Sequence, residues 1–246
     1  MVKKVSVEIA IPVYNEEKEL EHSIRTLCSY LKKHLSDFVW KITVADNASR
    51  DRTLAIAKKL ARQNPAVGVV HLSQKGRGRA VKQVWRNSSC DLVAYMDVDL
   101  STDLKHFSSL IRSLVKEYDL ATGTRNVRGA KVYGRSLLRT LTSKGYILLI
   151  KLFIGVHFTD AQCGFKAVTR RVVREIIPLV TDNAWFFDSE LLLLAEKMGY
   201  RIYEEPVTWI DNPGSTVRVL KTAQGDLEGL WRMYRTRPWR AKHANT

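Results

Sequence analysis

The chain has 246 residues, 45% of them hydrophobic, and a formal net charge of +15. That apolar content is ample for a globular core and excludes a chain too polar to fold. The positive excess calls for an anionic partner such as nucleic acid, anionic lipid or a phosphorylated substrate, without choosing among them.

The first half alternates strand and helix signals. Val5 to Pro12 reads as a strand, and Leu20, Ile24, Leu27, Leu31 and Leu35 then recur at helical spacing. Trp40 to Ala45 is a second strand. Ser49 is placed as a helix N-cap, with Asp51 in the first turn and Leu54, Ala57 and Ala61 on the apolar side. Val67 to Leu72 is a third strand and Gly78 to Asn87 a basic helix. Leu92 to Met96 is an apolar run that reads as a buried strand, ending in Asp97-Val98-Asp99. Asp103 is placed as the cap of a helix burying Leu104, Phe107, Leu110, Ile111 and Leu114, before a fifth strand at Leu120 to Gly123. The second half is less regular. Helices are expected over Arg135 to Gly155, weakened by Gly145, over Asp188 to Met198 and over Thr216 to Tyr234; strands are expected at Gly164 to Val168 and Arg201 to Val207.

Strands alternating with helices predict a mainly parallel α/β sheet with helices on both faces. Ligands of such sheets bind at the carboxyl ends of the strands. Four ends should line one cleft: Pro12 to Glu16, Asp46-Asn47, Asp97-Val98-Asp99 and Gly123-Thr124-Arg125. Two carboxylates one residue apart at a strand end can both reach one hard cation and leave coordination positions open for phosphates. The alternative is a solvated strand end with ordinary surface acids.

Other motifs are missing. No Gly-x-x-x-x-Gly-Lys-Ser/Thr loop occurs and no Gly-x-Gly-x-x-Gly follows the first strand, which argues against a P-loop ATPase and a dinucleotide fold. Gly76-Arg77-Gly78 could bring backbone close to a phosphate or ribose, or be a plain basic loop. The histidines, at 22, 34, 71, 106, 157 and 243, lack metal-ligand spacing. Cys28, Cys90 and Cys163 form no zinc pattern or disulfide framework, which suits a reducing cytosol. Met1-Val2-Lys3-Lys4 leads straight into a strand rather than a secretory signal, and the longest apolar stretch, Tyr146 to Phe158, is too short to span a bilayer.

Four elements taken together, Ile11 to Glu17, Val44 to Asp51, Asp97-Val98-Asp99 and Asp160-Ala161-Gln162-Cys163-Gly164-Phe165-Lys166, resemble family 2 glycosyltransferases of the GT-A fold. Within that family the chain is similar to the polyprenyl-phosphate sugar synthases, among them dolichyl-phosphate glucosyl- and mannosyltransferases. The likeness runs from about Val5 to Val219. It implies a GT-A domain over residues 1–215 and a basic amphipathic helical appendage over residues 216–246. It also implies site roles. Pro12, Tyr14, Glu16, Val44, Asp46 and Gly76 would hold the nucleotide sugar, with Asp97, Val98, Asp99 and Arg125 at its diphosphate. Mg²⁺ or Mn²⁺ would sit on Asp97 and Asp99, with Ser101 where mannose-transferring relatives have glutamine. Arg135 and Arg139 would grip a lipid phosphate. Asp160, Asp99 and Arg125 would be the catalytic residues, with Asp160 orienting nucleophile or sugar; Cys163 replaces the usual serine of its motif. Asp188 and Glu190 fall in the acidic segment that follows.

The implied reaction is an inverting transfer of a hexose from a UDP-glucose or GDP-mannose type donor to polyprenyl or dolichyl phosphate. An acid-free stretch supports it: from Leu120 to Thr159 there are seven Lys or Arg and no acid. Ile147, Leu148, Leu149, Leu152 and Phe153 would lie in a membrane interface; the alternative is that the apolar residues of 146–158 fill the core. The tail, with Trp231, Met233, Tyr234 and Trp239 among arginines, has the mixture of a membrane-surface helix. The expected location is peripheral, on the cytoplasmic face of the membrane. The rivals are a GT-A transferase with a soluble or glycan acceptor, a nucleic-acid-binding protein and an inactive sugar-nucleotide sensor. The paired acids and the lack of a recognition motif stand against nucleic acid.

Overall fold

The computed structural model describes residues 4–211 and 219–240. Seven strands form one sheet in the order β3-β2-β1-β4-β7-β5-β8. They are β1 (Ser6–Val13), β2 (Val39–Asn47), β3 (Val67–Leu72), β4 (Leu92–Met96), β5 (Leu120–Thr124), β7 (Phe165–Thr169) and β8 (Ile202–Pro206). β7 runs antiparallel to both neighbours, β4 and β5; every other pairing is parallel. A small parallel pair, β6 (Lys131–Tyr133) and β9 (Thr208–Ile210), stands beside the sheet.

Central β4 shows why the sheet is covered twice. Alternate strand residues point to opposite faces. Leu92, Ala94 and Met96 join one buried cluster, and Val93 and Tyr95 the other. The first cluster takes its helical residues from α1 (Leu20–His34), α2 (Thr53–Gln63) and α4 (Phe107–Lys116). The second takes them from α3 (Arg77–Asn87), α5 (Leu137–Ile154), α6 (Arg170–Glu175), α7 (Phe187–Lys197) and α8 (Val219–Thr236).

Several expectations change. Ser49 is not the cap of α2; its hydroxyl accepts from Asn15 N at 3.0 Å. The α2 start is held by Asp51, which accepts from the Thr53 N–H at 2.9 Å. α5 runs through Gly145 without a break and ends at Gly155, whose φ of 72° is the left-handed conformation that suits glycine there. Leu104 lies in a short 3₁₀ turn that Asp103 caps, just ahead of α4. The boundary at residue 215, the start of the last expected helix at 216–218 and Arg218 lie outside the described residues. The described part of the expected appendage is built into the domain: Leu230 and Met233 of α8 are buried in the second cluster, and Phe186 abuts Gly229.

Candidate active site

The ends of β1, β2 and β4 turn sharply at Asn15, Ala48 and Leu100, with φ of 57°, 62° and 49°. Non-glycine residues in this region each cost about 1 kcal/mol or more, and they concentrate at functional sites. Asn15 Oδ1 accepts from Arg50 N at 2.8 Å, and Thr53 Oγ1 accepts from Glu16 N at 2.7 Å. The loops after β1 and β2 are thus stapled together, which aims Glu16 at the β4 acids.

On the outer side of this rim, Asp46 is fully buried. Its Oδ2 lies 2.6 Å from His71 Nδ1, and its Oδ1 is a buried acceptor with no hydrogen-bond partner. The Lys75 ammonium sits 3.4 Å over the Tyr14 ring. Pro12 lies within β1 opposite Ala45 of β2. Val44 and Val98 are core side chains, so only their backbone can face a ligand. Gly76 is not an open phosphate nest. Its N–H donates to Asn47 Oδ1 at 2.7 Å, and a Cβ there would meet Asn183 O at 2.5 Å.

At the middle of the rim, Arg77 donates to Asp97 Oδ1 at 2.8 Å and to Asp188 Oδ2 at 2.5 Å. Asp188 also takes the Lys166 ammonium at 3.0 Å and the Tyr95 hydroxyl. Burial alone would raise the Asp188 carboxyl; Lys166 and Arg77 outweigh it and hold it below its usual value. Gly164 is required beside this column, because a Cβ would fall 1.9 Å from Asp97 Oδ2. Asp99 accepts from Ser101 N at 3.0 Å and from Ser101 Oγ at 2.7 Å, so Ser101 orients it. Glu190 does not reach the cleft. It accepts from Thr181, Asp182 N and Arg232.

At the inner side, Arg125 and Asp160 form a buried fork: Nε to Oδ2 at 2.7 Å and Nη2 to Oδ1 at 2.9 Å. Burial would raise Asp160, but the Arg125 charge and its hydrogen bonds win and hold the carboxyl at about 2. Asp160 is therefore a counter-ion and no proton acceptor near neutrality. Arg125 spends two side-chain donors on it, which limits what it can offer a phosphate. Both Arg125 and Arg135 lie over the Trp209 ring, at 5.4 and 5.9 Å. Arg139 pairs with Asp211 at 2.5 Å. Among the described residues Arg135 Nε is buried with no partner, and burial together with the Arg125 and Arg139 charges pushes this guanidinium down to about 10. Such a group is stabilised by an arriving anion.

The profile of Glycosyl transferase family 2 matches residues 8–177, more than half of the chain. The chain belongs to glycosyltransferase family 2. Glycosyltransferase AglD of Haloferax volcanii is 32% identical over 223 residues, covering 90% of this chain and 36% of that protein. Dolichyl-phosphate beta-glucosyltransferases of Trichomonas vaginalis (ALG5C) and Dictyostelium discoideum are each 30% identical over 227 residues, covering 88% and 87% of this chain and 67% and 69% of theirs. The chain thus spans about a third of the first relative and about two thirds of the others. Glucosyl-3-phosphoglycerate synthase from Mycobacterium tuberculosis, solved with Mn²⁺, UDP-glucose and phosphoglyceric acid, superimposes with a TM-score of 0.67 at 15% identity, covering 94% and 80%. That likeness shows the GT-A fold.

A divalent cation fits the rim of this glycosyltransferase. Asp97, Asp99 and Ser101 offer oxygen donors alone, which suits a hard ion. Glu16 is pushed up to about 7 by burial and by the charges of Glu19, Asp99, Asp51 and Asp97, a negative crowding that a cation relieves. Among the described residues no cluster of three or more His, Cys, Asp or Glu could hold a metal by itself. The donor's phosphates would have to supply the remaining ligands.

Sequence reasoning missed His71, Arg77 as the link between Asp97 and Asp188, and Asp226. Asp226 on α8 is 4% exposed; its Oδ2 accepts from Gln162 Nε2 at 2.5 Å while its Oδ1 has no partner. Burial, reinforced by the Asp188 and Asp182 charges, pushes it up to about 7 despite the Gln162 bond. An acid inside an amphipathic helix was the available signal. The stretch 146–158 divides: Ile150, Val156 and Phe158 are buried and Tyr146, Ile147 and Ile154 pack against the core, while Leu148, Leu152 and Phe153, like Leu137, Leu138 and Leu141 earlier in α5, are exposed. No helix among the described residues is long and apolar enough to cross a membrane.

Proposed function

We propose that the chain is an inverting glucosyltransferase that moves glucose from UDP-glucose to a dolichyl or other polyprenyl phosphate. The observation that carries it is Arg135. Its half-buried guanidinium has an unpartnered Nε between the Arg125 fork and Arg139, at the foot of a helix whose leucines face outward. A phosphate with an apolar tail matches both features: the head meets the cation and the tail runs along α5. The names of the dolichyl-phosphate beta-glucosyltransferase relatives support this acceptor and glucose as the sugar. They lend nothing to a GDP-mannose donor.

In this reading the base edge meets the unpartnered Asp46 Oδ1, and the diphosphate lies over Asp97, Asp99 and Ser101. A phosphate oxygen of the acceptor attacks the anomeric carbon from the face opposite the leaving nucleoside diphosphate. That nucleophile is already ionised, so no general base is needed, in keeping with an Asp160 held at about 2 by Arg125. Asp160 instead fixes Arg125 beside Arg135. Bound Mg²⁺ or Mn²⁺ would supply charge stabilisation to the departing diphosphate. The enzyme would work at a membrane surface.

The test is a donor panel with a short polyprenyl phosphate, with and without EDTA. Transfer is expected from UDP-glucose and is lost with EDTA. Transfer from GDP-mannose alone, or equal transfer to a neutral sugar acceptor, overturns the reading.

A further inference from the structure

A second concave site lies away from the cleft, where the last turns of α5, α7 and α8 meet the short turn Pro238–Arg240. The cavity has a volume of about 180 Å³. Phe153, Tyr234 and Trp239 supply its aromatic wall and Lys197, Arg237 and Arg240 its charge; among the described residues no acid lines it. Among the described residues none of these three cations is in an ion pair. Lys197 Nζ donates to Gly155 O at 2.7 Å and Arg237 Nε to Tyr234 O at 3.3 Å, which orients both cations without neutralising them. Arg237 sits at φ 43°, a position that favours glycine or asparagine at a helix end. That bend folds Trp239 and Arg240 back against the domain, with Arg240 N donating to Arg237 O at 2.9 Å.

The surface around the cavity is apolar. Leu148, Leu152 and Phe153 of α5 and Leu227 and Trp231 of α8 are all about half exposed or more. The Phe153 and Trp231 rings both pack on Tyr234, each at 5.8 Å, so the apolar patch runs unbroken into the cavity. Arg139 and Phe153 are separated along α5 by roughly 20 Å at 1.5 Å per residue. The cavity is therefore not part of the acceptor arginine cluster.

We propose that this cavity seats the phosphate headgroup of an anionic membrane phospholipid, a lipid other than the acceptor, while Trp231, Phe153 and the α5 leucines enter the acyl boundary. A free phosphate or nucleotide would use the three cations but leave the apolar surround without a partner. A bilayer surface uses both, and aromatic side chains favour that boundary. Each basic residue near an anionic surface contributes about fivefold in partitioning, so three contribute about 100-fold.

The test is sedimentation of the full chain with vesicles, in the absence of donor and acceptor. Binding to vesicles of 70% phosphatidylcholine and 30% phosphatidylglycerol is expected, with little to phosphatidylcholine alone. Lys197→Gln/Arg237→Gln/Arg240→Gln should lose about 100-fold in partition. Its melting temperature and its transfer to a short soluble acceptor should stay unchanged, which separates this result from the fate of the proposed reaction. Arg240→Gln, at an exposed position, should lose about fivefold even if the triple variant fails to fold. Wild-type partition to the triple variant or to Arg240→Gln, or equal binding to pure phosphatidylcholine, overturns the proposal. So does a Trp239 fluorescence change with 10 mM inorganic phosphate alone that equals the change with vesicles; that marks a free-anion site.

Discussion

The Arg77 side and the Arg135 side of the cleft treat charge in opposite ways. On the Arg77 side, Arg77, Asp97, Asp188 and Lys166 neutralise one another along a column that runs from half-exposed Asp97 to Lys166 at 0% exposure. On the other side, among the described residues, Arg135 has an unpartnered Nε and α5 holds its leucines in solvent. The first arrangement fixes geometry before substrate arrives. The second leaves charge and apolar surface uncompensated.

Four measurements break or sharpen that contrast. Asp188→Asn should cost most, about 3–5 kcal/mol in urea unfolding, because Arg77 and Lys166 lose their buried anion. Arg135→Gln should change stability by under about 1 kcal/mol, since among the described residues no ion pair is broken; equal losses at the two sites would erase the distinction. Asp99→Ala should lower transfer about 100- to 1,000-fold, roughly 2.7–4 kcal/mol, with unfolding little changed. In steady-state kinetics Arg135→Gln should raise KM for the lipid phosphate about tenfold or more, with kcat nearly kept, matching the 1.5–3 kcal/mol of a charged hydrogen bond. The last effect is in pH. Asp160 is held at about 2, so its contribution to stability is present above pH 4 and lost as pH falls towards 2. Asp226 is raised to about 7, so its sign is reversed: stability is lost as pH rises from about 4 to 7. Asp226→Asn should recover about 4 kcal/mol at pH 8 in thermal unfolding, the worth of a carboxyl moved from 3.8 to about 7, and nothing at pH 4.

How much was legible follows from sequence separation. Strands β1 to β5 announced themselves as apolar runs between helical periods, and their ends named Asp46, Asp97, Asp99 and Arg125 without any fold. Three-residue β6 and β9 are too short for alternation to register. Nothing local in Phe165–Thr169 says which way the strand runs. Arg77 looked like a loop cation because its second partner, Asp188, is 111 residues away. Tyr95 and Lys166, polar residues inside fully buried strands, were a readable hint that a partner had to exist. The Ser49 cap failed because an N-cap pattern does not tell which nearby amide the hydroxyl will take; here a neighbouring loop claimed it.

The reversal of β7 has an architectural consequence. Six strands of the sheet reach the working rim with their tails, and β7 reaches it with its head. The segment feeding β7 therefore arrives at the mouth of the cleft, where Gly164 O receives the Asp97 N–H at 3.3 Å. The chain between α5 and β7 is thereby pinned in length: Phe158, Asp160, Ala161 and Cys163 are all buried on the way, so an insertion there would first dislodge Asp160 from Arg125.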